Sequence, residues 1–294
     1  MKRTITFFAL TILLLAACKE SRTNRNIVDT KINSLAFKSG YSNVNGLKMY
    51  YEIYGEGKPL VLIHGGGSTI QTTFGRVIPM FAEHRKLIAV ELQAHGRTGD
   101  RDTELSFEQD ADDVTTLLKN LNILKADFLG FSNGGTTALQ IAIRYPELVD
   151  KIVAASALCK RNGVPPQFWD FMKQARLENM PEQLKEGYKK VASDASGLKV
   201  MHDKDAKRMV DFKEIPDEKI KSIKAPTLII IGDKDVITPE HAIEMHRLIA
   251  NSELAIIPGG HGEYIGEITT LNPKSKESDF IAVQMIESFL DKQE

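Results

Sequence analysis

Cysteine is scarce in this chain. Only Cys18 and Cys159 occur in 294 residues, too few for a disulfide scaffold. Cys159, in "AASALCK", reads as a small apolar filler. Charge of one sign is lacking too, with 38 Lys and Arg against 39 Asp and Glu. No basic stripe and no aromatic–basic interleaving appears, which argues against a nucleic-acid partner. There is no internal repeat and no low-complexity block. Hydrophobic residues make up 42% and charged residues 26%, an ordinary globular balance that excludes disorder of the whole chain.

The apolar run at the N-terminus, Thr4 to Ala17, falls short of the roughly 20 residues of a membrane span. It follows Lys2 and Arg3, and so reads as the h-region of a signal peptide. It closes in "LAAC", Leu15 to Cys18. This resembles the lipobox of bacterial lipoproteins. The resemblance implies a signal peptide over 1–17 and a lipidated Cys18 as mature N-terminus. It also implies a protein anchored in a membrane of the bacterial cell envelope, on its periplasmic or surface face. An ordinary signal, cut after the small residues Ala16 and Ala17, is the alternative. The polar stretch that follows, to residue 38, reads as a flexible tether.

From about residue 40 the pattern turns to strands and helices. Apolar runs occur at 47–55, 59–67, 86–96, 126–131, 150–157, 226–235 and 252–260. Most are near-continuous, as in strands buried on both faces of a parallel sheet. Helical spacing lies between them: Phe107, Ala111, Val114, Leu118 and Leu121; then His241, Met245, Leu248 and Ile249; then Ile281, Met285, Phe289 and Leu290. Alternating strand and helix imply βαβ units in an α/β fold. Residues 158–222 interrupt the alternation with helical stretches and Pro165, Pro166, Pro181 and Pro216. They read as a helical insertion between a core of 39–157 and 223–294. "HDKD", 202–205, reads there as a solvated helix start and no metal site.

The chemistry gathers at predicted strand ends. "GFSNG", Gly130 to Gly134, is a G-x-S-x-G pentapeptide between a strand and a helix, the context of a nucleophile elbow with Ser132 at its apex. The two glycines leave room for a strained turn. A serine nucleophile needs a base, and the base an orienting acid. After "TLIIIG" stand Asp233 and Asp235, which strand position alone does not separate. After "LAIIPGG" stands His261. "HGGG", 64–67, ends an earlier strand. The N–H of Gly66 can join that of Asn133 as an oxyanion hole. His64 reads as a structural residue beneath that turn, and His95 as one that shapes the "QAHGR" loop. His84, His202, His241 and His246 read as surface or helix residues.

Taken together, "HGGG", "ELQAHGRTG", "GFSNGG", "GDKDVITP" and "GGHG" resemble the α/β-hydrolase superfamily over roughly residues 40–294. The resemblance implies an α/β-hydrolase fold with an eight-stranded, mostly parallel sheet flanked by helices, 158–222 forming its helical cap. It implies Asp235 as the acid, and no cofactor. Glu91 stands where many members carry aspartate, at a position that is usually structural. The expected activity is a serine hydrolase cleaving a carboxylic ester, or similar acyl bond, of a small molecule through an acyl-enzyme. Cleavage of a C–C bond, lactone or amide is the alternative on the same triad; a non-catalytic binding protein is the alternative of another class. Trp169 is either cap core or pocket wall, and with Phe131 makes up the tentative substrate pocket.

Overall fold

The computed structural model describes residues 35–271 and 280–293. The expected signal peptide, Cys18 and most of the tether lie outside the described residues. The first two strands, β1 (Phe37–Val44) and β2 (Leu47–Tyr54), form an antiparallel hairpin. Its two-residue turn is Asn45–Gly46, with φ of 45° and 80°. Asn-Gly is the dipeptide that enters this left-handed turn at least cost. Strand β1 escapes the apolar-run criterion because most of it is exposed. It begins at Phe37, inside the stretch read as tether.

Six further strands follow: β3 (Lys58–Ile63), β4 (Arg85–Val90), β5 (Ala126–Phe131), β6 (Val149–Ala155), β7 (Thr227–Gly232) and β8 (Ser252–Ile257). One eight-stranded sheet results, in the order β1-β2-β4-β3-β5-β6-β7-β8. β2 is antiparallel to both neighbours, and every pair from β4–β3 onward is parallel.

Alternation along each strand feeds two core layers. Val61, Ile63 and Phe128 face α3 (Phe107–Asn120), α4 (Asn133–Arg144) and α9 (Pro239–Leu248). Leu60, Leu62 and Leu129 face α1 (Ile70–Phe74), α2 (Ile78–Phe81) and α10 (Ile281–Leu290). Ser106 caps α3 by accepting from the Gln109 N–H at 3.1 Å, and Glu108 and Asp110 in the first turn suit the helix dipole. Among the described residues no helix is long and apolar enough to cross a membrane.

The insertion between β6 and β7 contains α5 (Pro166–Lys173), α6 (Glu182–Val191), α7 (Gly197–Val210) and α8 (Asp217–Lys221). Its prolines stand at helix starts: Pro165 before α5, Pro181 before α6, Pro216 before α8. A missing N–H costs nothing there. The tip forms a separate apolar cluster of Met180, Leu184, Tyr188, Leu198 and Met201, seated on Ala94 of the core. The base does not: Val164, Trp169, Met209, Phe212 and Ile215 belong to the sheet's own core. "HDKD" is not a solvated helix start. It lies inside α7, and Asp205 turns inward and is buried.

Glu91, just past β4, is fully buried. It accepts from the Arg97 backbone N–H at 2.5 Å and from Arg97 Nη1 at 2.7 Å. Burial outweighs Arg97 and pushes Glu91 from the ordinary 4.5 up to about 7. Between those values the folded chain keeps a proton that the unfolded chain has released. Its contribution to stability is therefore whole below about pH 4.5 and is lost as pH rises through about 7. Glu91→Gln should flatten the fall of Tm across that window. Asp110, pushed up to about 6 chiefly by burial, should leave a smaller slope of the same sign. Thermal melts of both proteins across the window check this, and an unchanged slope in Glu91→Gln would contradict it.

Candidate active site

Ser132 sits between β5 and α4 with φ 54° and ψ −119°. A non-glycine residue held there stores on the order of 1–3 kcal/mol of strain. The reason is proximity of backbones. A Cβ on Gly130 would stand 2.1 Å from the Gly134 carbonyl oxygen, and one on Gly134 2.1 Å from that of Ile63. No side chain fits at either site. The Ser132 N–H continues the sheet by donating to the Ala155 carbonyl at 2.8 Å, so the apex is tied to β6.

Asp235 follows β7 and His261 follows β8. His261 Nε2 lies 3.0 Å from Ser132 Oγ, and Nδ1 lies 2.7 Å from Asp235 Oδ1. Asp235 Oδ1 also accepts from the Ile237 N–H at 3.0 Å, and Oδ2 from Ser156 Oγ at 2.6 Å. Burial opposes the carboxylate, but these donors and His261 outweigh it and hold Asp235 below the ordinary aspartate range. Asp233 points elsewhere: its Oδ1 accepts from the Gly259 N–H at 2.8 Å and braces the turn after β8.

The sequence reading missed Ser156 and Tyr264. The Tyr264 hydroxyl is 2.7 Å from Ser156 Oγ and 3.3 Å from the Ile230 carbonyl oxygen. A buried line of hydroxyls therefore stands behind Asp235. Ser156 carries φ 48° one residue past β6. The strand-end rule that selects Ser132, Asp235 and His261 selects it equally. Tyr264 has no comparable signal.

Gly66 and Asn133 lie side by side, since a Cβ on Gly66 would meet Asn133 Nδ2 at 2.5 Å. Both border the same cavity as Ser132 and His261. Beneath them His64 is fully buried. Its Nε2 accepts from the Leu92 N–H at 3.1 Å, so Nδ1 carries the proton and donates to the Gly65 carbonyl at 2.8 Å. Burial, then neighbouring His95, push it down to about 3. A neutral bracing residue results, not a base. His241 lies in α9, one of the two places expected for it, with its side chain buried. Its Nε2 accepts from the Cys159 N–H at 3.1 Å, beneath the loop after β6.

The cavity has a volume of about 260 Å3. The insertion walls it with Phe168, Phe171, Met172, Met180, Leu184 and Met209. Neither Trp169 nor Phe131 is among its lining; of the two expectations for Trp169, cap core and pocket wall, the first describes its place. Trp169 is one position round the helix from Phe168 and faces the core. It donates from Nε1 to the Arg161 carbonyl at 2.9 Å and stacks on Phe212 at 5.7 Å. Phe131 packs behind the His261 ring at 4.7 Å. Among the described residues no group of His, Cys, Asp and Glu could hold a metal ion.

A family model described as alpha/beta hydrolase fold matches residues 58–210. The chain belongs to this family. Human serine hydrolase BPHL is 31% identical over 235 residues, 74% of this chain and 77% of its own length. The 2-hydroxy-6-oxo-6-(2'-aminophenyl)hexa-2,4-dienoic acid hydrolase of Metapseudomonas resinovorans is 25% identical over 243 residues, 76% of this chain and 84% of its own. A solved serine hydrolase involved in carbazole degradation superposes with a TM-score of 0.70 at 25% identity, covering 87% of this chain and 99% of that one. The present hydrolase shares their fold, including an eight-stranded, mostly parallel sheet.

Trp169 and Phe171 should separate stability from selectivity in this hydrolase. Trp169→Ala should cost about 3 kcal/mol, the scale for deleting a large buried aromatic, and leave the substrate profile unchanged. Phe171, 56% exposed at the cavity wall, should do the reverse on truncation to Ala. Thermal melts and relative kcat/KM over p-nitrophenyl esters of rising acyl length check both. A changed profile in Trp169→Ala at unchanged Tm would return Trp169 to the pocket.

Proposed function

We propose that this α/β hydrolase is a serine hydrolase that cleaves a carboxylic ester, or similar acyl bond, of a small molecule. The observation that carries the reading is the continuous relay from Asp235 through His261 to Ser132, at 2.7 and 3.0 Å, opening onto an apolar cavity. Ser132 Oγ attacks the carbonyl carbon while His261 Nε2 takes its proton. Asp235 fixes the ring with Nδ1–H toward itself and stabilises the imidazolium. The N–H groups of Gly66 and Asn133 receive the oxyanion. His261 then protonates the leaving alcohol, water enters, and the same steps in reverse order release the acid. The apolar wall favours an uncharged acyl or aryl group.

Hydrolysis of a carbon–carbon bond is the second reading, to be weighed because the Metapseudomonas resinovorans relative is a hydrolase of a 2-hydroxy-6-oxo-hexa-2,4-dienoic acid. Relative kcat/KM on p-nitrophenyl esters and on a 2-hydroxy-6-oxo-hexa-2,4-dienoate discriminates the two. A non-catalytic binding role predicts no labelling by a fluorophosphonate probe.

Ser132→Ala should lower kcat on the order of a million-fold with the fold kept. Asp235→Asn should approach 10⁴-fold through the wrong imidazole tautomer. Asp233→Asn should instead cost about 1 kcal/mol of stability, the scale of one lost hydrogen bond, and keep most activity. Steady-state kinetics with thermal melts decide. A Ser132→Ala enzyme retaining a few per cent of turnover, or a large kcat loss confined to Asp233→Asn, would overturn the assignment.

The same proposal covers location: lipidated Cys18 and its tether hold the hydrolase on a membrane of the bacterial envelope. It rests on "LLLAAC" after Lys2 and Arg3. Several acyl chains anchor firmly where one binds only marginally. Metabolic labelling with a clickable palmitate should mark the wild type and not Cys18→Ser. Equal label on both would sink the idea.

A further inference from the structure

Asp205 of the insertion is bound to the turn that carries Gly66. Its Oδ2 accepts from the Gly67 N–H at 2.5 Å and faces His95 Nε2 at 2.9 Å. Its Oδ1 accepts from Arg208, one turn along α7. Arg208 Nη1 in turn donates to Asp110 Oδ2 of α3 at 2.7 Å. All four side chains are buried. A buried charge is costly unless paired and hydrogen-bonded, and the hydrogen-bond pattern supplies the pairing. The two nitrogens of His95 face acceptors only, the Asp205 carboxylate and the Gln93 carbonyl oxygen at 2.8 Å. Both are satisfied only if both carry a proton. His95 and Arg208 then balance Asp205 and Asp110.

What this network acts on is the peptide beside the oxyanion site. Gly67 has φ 66°, and its N–H shares a peptide plane with the Gly66 carbonyl. Fixing that plane fixes ψ of Gly66. Asp205 Oδ2 stands 3.3 Å from where a Gly66 Cβ would lie, close enough to limit how the residue can turn. Asp205 also borders the cavity, which raises the question of direct contact with substrate. Three donors already occupy its two oxygens, so it is committed to the protein.

We propose that Asp205 is a positioning residue that holds the Gly66 N–H toward the reacting oxygen, so that the oxyanion site is complete only while the cap is docked. The inference rests on the reading of Gly66 as an oxyanion donor. Preorganised donors act through placement, and a misplacement of about 1 Å can cost on the order of 10²-fold in rate.

The test uses Asp205→Ala and Asp205→Asn in the full chain, with p-nitrophenyl acetate as substrate. Asp205→Ala should lose about 10²-fold in kcat with KM nearly unchanged. Asp205→Asn keeps an oxygen for the Gly67 N–H and should recover at least tenfold of that loss. A trifluoromethyl ketone, which forms an oxyanion on Ser132, should bind Asp205→Ala more weakly by the same factor as the fall in kcat/KM. End-point fluorophosphonate labelling counts the competent sites, and all rates are divided by it. Absence of labelling in the wild type would defeat the serine-hydrolase reading, separately from this inference. A lowered Tm with kcat per labelled site within threefold of wild type would overturn the proposal. So would an Asp205→Asn enzyme no better than Asp205→Ala.

Discussion

The geometry of the site depends on one close approach of backbones. β5 turns into α4 with no room for a Cβ at Gly130 or at Gly134, where the nearest carbonyl oxygens would be 2.1 Å away. That contact holds Ser132 in its strained positive-φ conformation and lifts it clear of both elements. It also draws the start of α4 against the end of β3, because the carbonyl in the way of Gly134 belongs to Ile63. The turn after β3 and the N-terminus of α4 are thereby brought together around the serine. The other two members of the relay need only short loops at neighbouring strand ends, since β7 and β8 lie two and three places from β5 in the sheet. A parallel sheet puts the ends of its strands on one edge, and ligands gather there in open α/β folds generally.

Much of this was legible in the sequence because the relevant signals are local. The buried strands announce themselves as apolar runs, and the elbow glycines flank the one serine that needs them. Asp235 and His261 stand just past strands whose order the pattern gives. What escaped was long-range or face-dependent. β1 is mostly exposed and carries no apolar run, so only its Asn-Gly turn betrays it. Trp169 and Phe168 are adjacent in sequence and part ways because a helix turns about 100° per residue. No composition argument tells which of the two faces the cavity. Asp205 looked solvated because three polar neighbours accompany it. Two of its three partners, His95 and Gly67, lie 110 and 138 residues away in the chain.

Two buried carboxylates, Asp235 and Glu91, are shifted in opposite directions. Around Asp235 three donors, His261, Ser156 and the Ile237 N–H, outweigh burial and the acid stays ionised. Around Glu91 burial prevails over Arg97 and the backbone N–H donors of Arg97 and Ile70, and the carboxyl moves up to about 7. Both lie just past parallel strands, β7 and β4. Both accept several hydrogen bonds; Glu91 is the more deeply buried and has the Glu52 carboxylate near it, and both of these raise it.

The base of the insertion, unlike its tip, is part of the main core. Val164, Trp169, Met209, Phe212 and Ile215 pack in the same layer as β3, β5 and α3. Cutting the chain at the natural-looking limits of the insertion would strip apolar cover from the sheet's helical layer. The piece that could be exchanged between related enzymes is therefore smaller than the piece that sequence periodicity marks out. It runs roughly over 177–201, where the tip gathers in a separate apolar cluster that touches the core through Ala94 and Ile268. A graft made there would change the roof over the serine and leave the foundation in place.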